Sequence, residues 1–106
     1  MPFIQAIPLS DLKPGEAKCV SLGGKRISIF NIDGRFMAVD DRCTHDNASL
    51  AEGTVIQKDG RCIIECPWHG AHFDLQSGAV LSFPAVRPVK SYAARATGDF
   101  IEVEVE

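Results

Sequence analysis

The most informative part of the sequence is a pair of short stretches: residues 41–53 read DRCTHDNASLAEG, and residues 65–74 read ECPWHGAHFD. Each stretch pairs a cysteine with a histidine at close spacing, C-x-H in the first and C-x-x-H in the second. The four residues are Cys43, His45, Cys66 and His69. Thiolate and imidazole groups are common metal ligands, so the two pairs predict a metal site formed by both stretches.

Size and composition are those of a soluble globular protein. The chain has 106 residues, of which 45% are hydrophobic and 24% are charged, which is ordinary for one folded domain. The formal net charge of −3 argues against nucleic acid binding, which favours a basic surface. No apolar run is long enough to cross a membrane, and the N-terminal residues lack the pattern of a secretion signal. We therefore expect a single domain over residues 1–106, located in the cytoplasm, where thiols stay reduced.

Short strand-like runs separated by turn residues predict an all-β fold. Residues 25–32 alternate with one apolar face, and Asp33-Gly34, typical of a two-residue hairpin, separates them from a second run at 35–39. Residues 101–106 alternate between apolar residues and glutamates, which predicts a strand with one buried face and one solvated acidic face. Several such strands in succession favour an antiparallel β-sandwich or a small barrel.

Residues 43–84 interrupt this regular pattern. They contain all three histidines and both cysteine–histidine pairs. We interpret them as a loop-rich insertion that carries the functional site on the β scaffold.

The mixing of cysteine with histidine in each pair discriminates between metals. Common zinc fingers place two cysteines in one knuckle and two histidines in the other. A two-iron cluster with two cysteines on one iron and two histidines on the other accepts one ligand of each kind from each loop. The arrangement therefore favours an iron–sulfur cluster, and a structural zinc ion on the same four residues remains the alternative.

The sequence resembles the Rieske [2Fe–2S] family, whose hallmark is CxH…CxxH. The resemblance covers roughly residues 36–105. It includes the motifs CTH and CPWHG, Phe73-Asp74, the SG turn at 77–78 and FPAVRPVKSY at 83–92.

The resemblance implies one Rieske-type [2Fe–2S] cluster per chain, held by a subdomain of approximately residues 43–84. Cys43 and Cys66 would bind the buried iron, and His45 and His69 would bind the outer iron through one ring nitrogen each. No residue would be catalytic, because the cluster only carries electrons.

Departures from the family pattern predict a reduction potential at the low end of the Rieske range. High-potential members carry two further cysteines, joined in a disulfide, at the positions of Ala48 and Trp68. They also carry hydroxyl groups that hydrogen-bond the cluster, at the positions of Ala71 and Phe73. This chain has neither feature. Because a hydrogen bond to sulfur stabilises the more negative reduced cluster, we expect a potential of about −150 mV.

Other residues near the motifs have structural interpretations. His72 is expected at the surface or beside the site, and Phe73 in the core. Trp68 either packs inside the domain or belongs to a docking surface for a partner. Cys19 and Cys62 lie in strand-like runs, where buried, inert thiols are the rule.

The glycines and one proline of the motif region have expected roles too. Gly53, Gly70 and Gly78 are expected to permit positive φ in turns. Pro84 resembles the family's proline-containing third loop, which covers the cluster.

The resemblance implies an electron carrier and not an enzyme. Rieske oxygenases also need a mononuclear iron site, usually of two histidines and a carboxylate, whereas His72 is the only histidine outside the cluster motif. The chain most resembles the ferredoxin component of bacterial aromatic-ring-hydroxylating dioxygenase systems, such as the biphenyl and toluene systems. It would act as a monomer, taking single electrons from an NADH-dependent flavin reductase and passing them to a terminal Rieske oxygenase.

Two other functions stay open. The small subunit of an NADH-dependent nitrite reductase would share the fold, although those relatives often depart from the complete cysteine and histidine motif. A zinc-stabilised interaction module would have no redox role. Colour separates it at once, since a zinc protein is colourless and an iron–sulfur protein is reddish-brown.

Overall fold

The structure, a computed structural model, describes residues 3–43, 48–68, 70–82 and 87–105. Within these ranges the predicted all-β fold is confirmed, with ten strands and two short 3₁₀ turns at Leu9–Asp11 and Leu50–Glu52. The strands are β1 Phe3–Pro8, β2 Ala17–Leu22, β3 Lys25–Ile32, β4 Arg35–Asp40, β5 Thr54–Lys58, β6 Arg61–Glu65, β7 His72–Asp74, β8 Val80–Ser82, β9 Ser91–Thr97 and β10 Phe100–Glu104. None of the helical segments in these ranges is long and apolar enough to cross a membrane.

The strands form two antiparallel sheets. A six-stranded, barrel-like sheet has the order β1-β10-β9-β4-β3-β2, and a four-stranded sheet has the order β5-β6-β7-β8. The segment that the sequence presents as a loop-rich insertion thus contains a small sheet of its own.

The β3–β4 hairpin is confirmed. Ile32 pairs with Arg35 across the turn, and Asp33 and Gly34 both have positive φ, 53° and 88°. Two successive residues with positive φ form the type of turn whose twist matches the twist of a hairpin.

Strand β3 is buried on both faces and not only on the face that its alternation predicts. Ile27 and Ile29 point into the core of the barrel. Phe30 and Ile32 point the other way, into a second core shared with the four-stranded sheet. Because alternate residues of a strand face opposite sides, β3 joins the two halves of the molecule.

The C-terminal strand is only partly as predicted. Ile101 and Val103 are fully buried, which confirms the apolar face. On the other face, the side chain of Glu102 is only 15% exposed and forms an ion pair with Arg95 at 2.9 Å. Strand β10 lies between β1 and β9, so this face is flanked by neighbours and is not a free acidic edge.

Candidate metal centre

The structure brings Cys43 and Cys66 into one apolar core. Cys43 follows the end of β4, and Cys66 directly follows β6. They are 1% and 2% exposed, respectively. Both belong to the core between the two sheets, which also contains Phe73.

Each cysteine begins a loop that is closed in the same way. The backbone N–H of Cys43 donates to the carbonyl oxygen of Ala48 at 3.0 Å, and that of Cys66 donates to the carbonyl oxygen of Ala71 at 2.8 Å. The chain therefore turns back after five residues in both loops, and the two thiols lie at equivalent points.

The two predicted histidine ligands, His45 and His69, lie outside the described residues, as does Pro84. Within the described residues, no three histidine, cysteine or acidic side chains are grouped to hold a metal ion. The cysteine half of the predicted ligand set is thus the half whose placement the structure gives.

The chemistry of this half fits the inner iron of a Rieske cluster. None of the four cysteines of the chain is in a disulfide, so no disulfide prevents either motif cysteine from binding a metal as a thiolate. Their burial would keep water away from the metal–sulfur bonds, and two thiolates are the number that the inner iron needs.

Asp41 supports the first loop, and the sequence prediction did not single it out. It is 4% exposed, and its Oδ1 accepts hydrogen bonds from Ser28 Oγ at 2.5 Å, Ser49 Oγ at 2.7 Å and the N–H of Ala51 at 3.3 Å. Burial opposes ionisation, but these hydrogen bonds outweigh it and lower the pKa of the Asp41 carboxyl. The available signal was Ser28, a polar residue between two isoleucines in an apolar strand.

Glu65 and His72 face each other across the base of the second loop. They are paired in register between β6 and β7, and His72 Nε2 lies 2.9 Å from Glu65 Oε2. The side chain of His72 is 31% exposed, in agreement with its expected place at the surface or beside the site.

Two apolar residues that follow Cys66 lie in the core. Ala71 and Phe73 are both fully buried, and the core position expected for Phe73 is confirmed. Trp68 is 52% exposed, so it does not pack inside the domain, and the docking interpretation remains.

The two cysteines outside the motif differ from each other. Cys62 is 5% exposed, as predicted. Cys19 is only partly buried, so full burial was a wrong prediction for it, and Arg26 Nη2 donates to its sulfur at 3.5 Å. Burial nevertheless raises the pKa of the Cys19 thiol.

The glycines of the motif region serve two purposes. Gly70 and Gly78 have positive φ, 73° and 80°, as predicted. The prediction was wrong for Gly53, whose φ is −81°. A side chain there would overlap the backbone carbonyl of Glu65. The glycine at position 53 therefore allows the backbone that follows the first loop to pack against the end of β6.

A β scaffold that carries two matched loops, each beginning at a buried motif cysteine, fits a metal-binding β protein. The model of the Rieske [2Fe-2S] domain family matches residues 3–93, and the chain belongs to this family. Its cofactor is a Rieske-type [2Fe–2S] cluster.

Two relatives match almost the whole chain. The biphenyl dioxygenase ferredoxin subunit of Pseudomonas sp. (strain KKS102) is 38% identical over 104 residues, which cover 98% of this chain and 93% of that protein. The 3-phenylpropionate/cinnamic acid dioxygenase ferredoxin subunit of Escherichia coli (strain K12) is 36% identical over 102 residues, which cover 96% of this chain and 92% of that protein.

Solved structures show the same fold. The ferredoxin of carbazole 1,9a-dioxygenase from Nocardioides aromaticivorans IC177 has a TM-score of 0.89 at 27% identity, over all of both chains. A ferredoxin chain in a complex of reduced oxygenase and oxidized ferredoxin in carbazole 1,9a-dioxygenase has a TM-score of 0.80 at 30% identity, over 98% of this chain and 97% of that one. A protein described as an NADH-dependent nitrite reductase small subunit from Mycobacterium tuberculosis has a TM-score of 0.88 at 29% identity, over 99% and 96%.

Proposed function

We propose that the protein is the ferredoxin component of a bacterial aromatic-ring-hydroxylating dioxygenase system. It is an electron-transfer component and not an enzyme. The observation that carries the proposal is the near full-length similarity to dioxygenase ferredoxin subunits, 38% identity over 98% of this chain and 93% of the relative. The complete CxH…CxxH motif supports it, because a redox carrier needs the whole ligand set.

The proposed ligands are Cys43 and Cys66 for the inner iron and His45 and His69 for the outer iron. The bound cluster accepts and releases one electron at a time. Two thiolates and two neutral imidazoles leave the oxidised cluster without net charge, so an apolar surrounding costs little electrostatic free energy. The burial of both cysteines matches this requirement. The domain proposed to carry the cluster is residues 1–106, with residues 43–84 as the cluster-binding subdomain.

The proposed partners are an NADH-dependent flavin reductase, which supplies electrons, and a terminal Rieske oxygenase, which receives them. The structural similarity to a ferredoxin that was solved together with its oxygenase supports the second partner. We propose that the protein diffuses between the two as a monomer in the cytoplasm, and contacts between such carriers and their partners are small and transient.

The first test is chemical analysis of protein purified without oxygen. We expect a reddish-brown protein with iron and acid-labile sulfide in equal amounts, about two of each per chain. On reduction with dithionite, the average g value of the EPR signal should lie below that of plant-type clusters. A colourless protein that contains zinc would overturn the proposal in favour of the interaction module.

The second test addresses the partner. The reduced protein is mixed in a stopped-flow instrument with candidate terminal oxygenases, and reoxidation of the cluster is followed by absorbance. Rapid reoxidation by a ring-hydroxylating oxygenase is the expected result.

The nitrite reductase subunit is a second candidate because its TM-score of 0.88 nearly equals that of the dioxygenase ferredoxin, 0.89. The fold alone therefore does not separate the two functions. The stopped-flow experiment separates them if a nitrite reductase large subunit is included. Reoxidation by that subunit and by no oxygenase would replace the proposed function with the second one.

A further inference from the structure

Asp41 connects the first cluster loop to the barrel through both its carboxylate and its backbone. It lies between the end of β4 and Cys43. Its carboxylate accepts a hydrogen bond from Ser28, which is fully buried in β3. The backbone N–H of Asp41 donates to the carbonyl oxygen of Arg26, in the same strand, at 3.0 Å. Asp41 is therefore fixed to the scaffold on one side.

The same residue holds the segment that returns from the loop. Ser49 Oγ and the N–H of Ala51 donate to Oδ1, and the N–H of Leu50 donates to the backbone carbonyl of Asp41 at 2.7 Å. Three consecutive residues after the loop, Ser49, Leu50 and Ala51, thus bond to Asp41, two residues before Cys43. The entry and the exit of the loop are held together at this point.

The second loop is supported by a more exposed carboxylate than the first. Its carboxylate, Glu65, is 40% exposed, and its partner His72 is 31% exposed. Pairs that water can reach contribute little to stability, about 0–1 kcal/mol. Because the sequence has alanine and tryptophan at positions 48 and 68, no disulfide between these positions can hold the first loop in place of Asp41.

We propose that Asp41 is a positioning residue for the cluster, which holds the loop that presents Cys43 in the geometry that the metal requires. This inference rests on the proposed role of Cys43 as a ligand. Asp41 acts through the loop and makes no contact with the metal in this proposal. Residues that orient metal ligands commonly change metal affinity by about 10- to 100-fold when they are replaced.

Hydrogen bonding and charge can be separated by an asparagine at this position. The Ser28, Ser49 and Ala51 donors all reach the same oxygen, Oδ1, and an asparagine keeps an acceptor there while it removes the charge. The other oxygen, Oδ2, faces Arg26 at 3.5 Å, and the Arg26 side chain is 70% exposed, so loss of that contact is a small change. Asp41→Asn should therefore keep the loop in place, whereas Asp41→Ala should release it.

The neighbouring carboxylate provides a matched control. Asp40 accepts a hydrogen bond from Tyr92 Oη at 2.6 Å, on β9 and away from the loop. Asp40→Ala removes an equal charge and one hydrogen bond, one residue further from Cys43. It should lower the stability of the fold without changing how the cluster is held.

The experiment compares holoproteins purified without oxygen: wild type, Asp41→Ala, Asp41→Asn and Asp40→Ala. Loss of cluster absorbance in excess chelator, the EPR spectrum of the reduced protein and the midpoint potential are measured for each. We expect Asp41→Ala to lose the cluster about tenfold faster or more, with altered EPR line shape. Asp41→Asn and Asp40→Ala should stay within about threefold of the wild type.

Each contrary outcome has a distinct meaning. Equal rates for Asp41→Ala and Asp40→Ala, with the wild-type EPR spectrum in both, would overturn the inference and leave the proposed function standing. A rate for Asp41→Asn as high as for Asp41→Ala would overturn it as well, since charge and not hydrogen bonding would be responsible. A wild-type protein without a [2Fe–2S] cluster would overturn the proposed function together with this inference. If Asp41→Ala does not fold, Ser49→Ala takes its place, with an expected acceleration of about three- to tenfold, and an unchanged rate would contradict the inference.

Discussion

Cys43 and Cys66 occupy equivalent positions, since each donates its backbone N–H to the carbonyl oxygen of the residue five positions further along. Their spacings to the predicted histidine ligands differ, C-x-H against C-x-x-H, yet both loops close after the same number of residues. Both accepting residues are buried alanines, Ala48 and Ala71. The loops are thus alike where the thiols are held, and the surrounding side chains are left to adjust the potential of the cluster.

Ala71→Ser should raise the reduction potential. Ala71 is fully buried and its carbonyl oxygen accepts the hydrogen bond from Cys66, so a hydroxyl at this position would enter the core beside a proposed ligand. A hydrogen bond to cluster sulfur worth about 0.5–1.5 kcal/mol corresponds to a rise of roughly 20–65 mV for a one-electron couple. The measurement is a redox titration followed by EPR.

The matched control for this change is Ala48→Ser. It adds the same hydroxyl beside the other cysteine, at a position where the family resemblance implies no such hydrogen bond. We expect a smaller shift there. An equal rise in both variants would show that general polarity and not a specific hydrogen bond changes the potential, and an unchanged potential in Ala71→Ser with an intact cluster would contradict the prediction.

The part of the site that the sequence could predict is the part that depends on local spacing. The CxH and CxxH pairs predicted the family, and Asp33-Gly34 predicted its hairpin, because both signals lie within a few neighbouring residues. Asp41 was missed because its role depends on Ser28, thirteen residues away in the chain. The position of an aspartate two residues before a cysteine does not indicate its hydrogen-bond partners, because these come from a strand that is distant in the sequence.

The same limit applies to the fold. The alternation of β3 predicted one buried face. Phe30 and Ile32, on the other face, are buried by the four-stranded sheet, whose strands lie later in the sequence. Similarly, the acidic pattern of the last strand gave no sign that Arg95 would cover Glu102. Contacts between distant segments decide both cases, and a periodicity within one segment does not contain them.

Gly78→Ala should lower the free energy of unfolding by about 2–5 kcal/mol. Gly78 has a φ of 80°, which costs an alanine about 1–2 kcal/mol. A Cβ atom would also overlap the carbonyl oxygen of Val89 and weaken the bond from the N–H of Val89 to the carbonyl oxygen of Gly78, now 3.0 Å. Such overpacking adds about 1–3 kcal/mol, and urea denaturation of the holoprotein measures the total.

Gly60→Ala is the control, because it separates backbone strain from steric overlap. Gly60 has a similar φ of 75°, and nothing lies within 4 Å of where its Cβ would stand. It should lose only about 1–2 kcal/mol. Equal losses in the two variants would mean that the segment before β9 moves aside without cost.

Cys19 should be the one cysteine of the four that an alkylating reagent modifies, and its reaction should be slow. Burial raises the pKa of its thiol, and the hydrogen bond from Arg26 offsets this only in part. A larger share of the thiol therefore stays protonated and unreactive near pH 8, and the rate with iodoacetamide should reach half of its maximum at a pH above that of a free thiol, about 8.5. Mass spectrometry of the intact holoprotein should show a single adduct, since the other three cysteines are buried.

The matched variant for Cys19 is Arg26→Gln. Loss of the guanidinium removes the group that lowers the pKa of the thiol, so alkylation at pH 8 should become slower still. A reaction faster than that of free cysteine in the wild type, or faster in the variant, would contradict this description of the site.

Trp68→Ala should slow electron transfer to the oxygenase while leaving the protein stable. Trp68 is 52% exposed and lies between two proposed ligands, so its removal costs little packing but removes an aromatic anchor of the kind that dominates protein interfaces. We expect the second-order rate constant for reoxidation by the oxygenase to fall by about tenfold or more, with the midpoint potential and the thermal unfolding temperature nearly unchanged. Phe100→Ala, which removes another exposed aromatic residue (37% exposed) at the start of β10, is the control and should leave the rate as it is. A rate that falls equally in both variants, or in neither, would contradict a specific role of Trp68 in docking to the oxygenase.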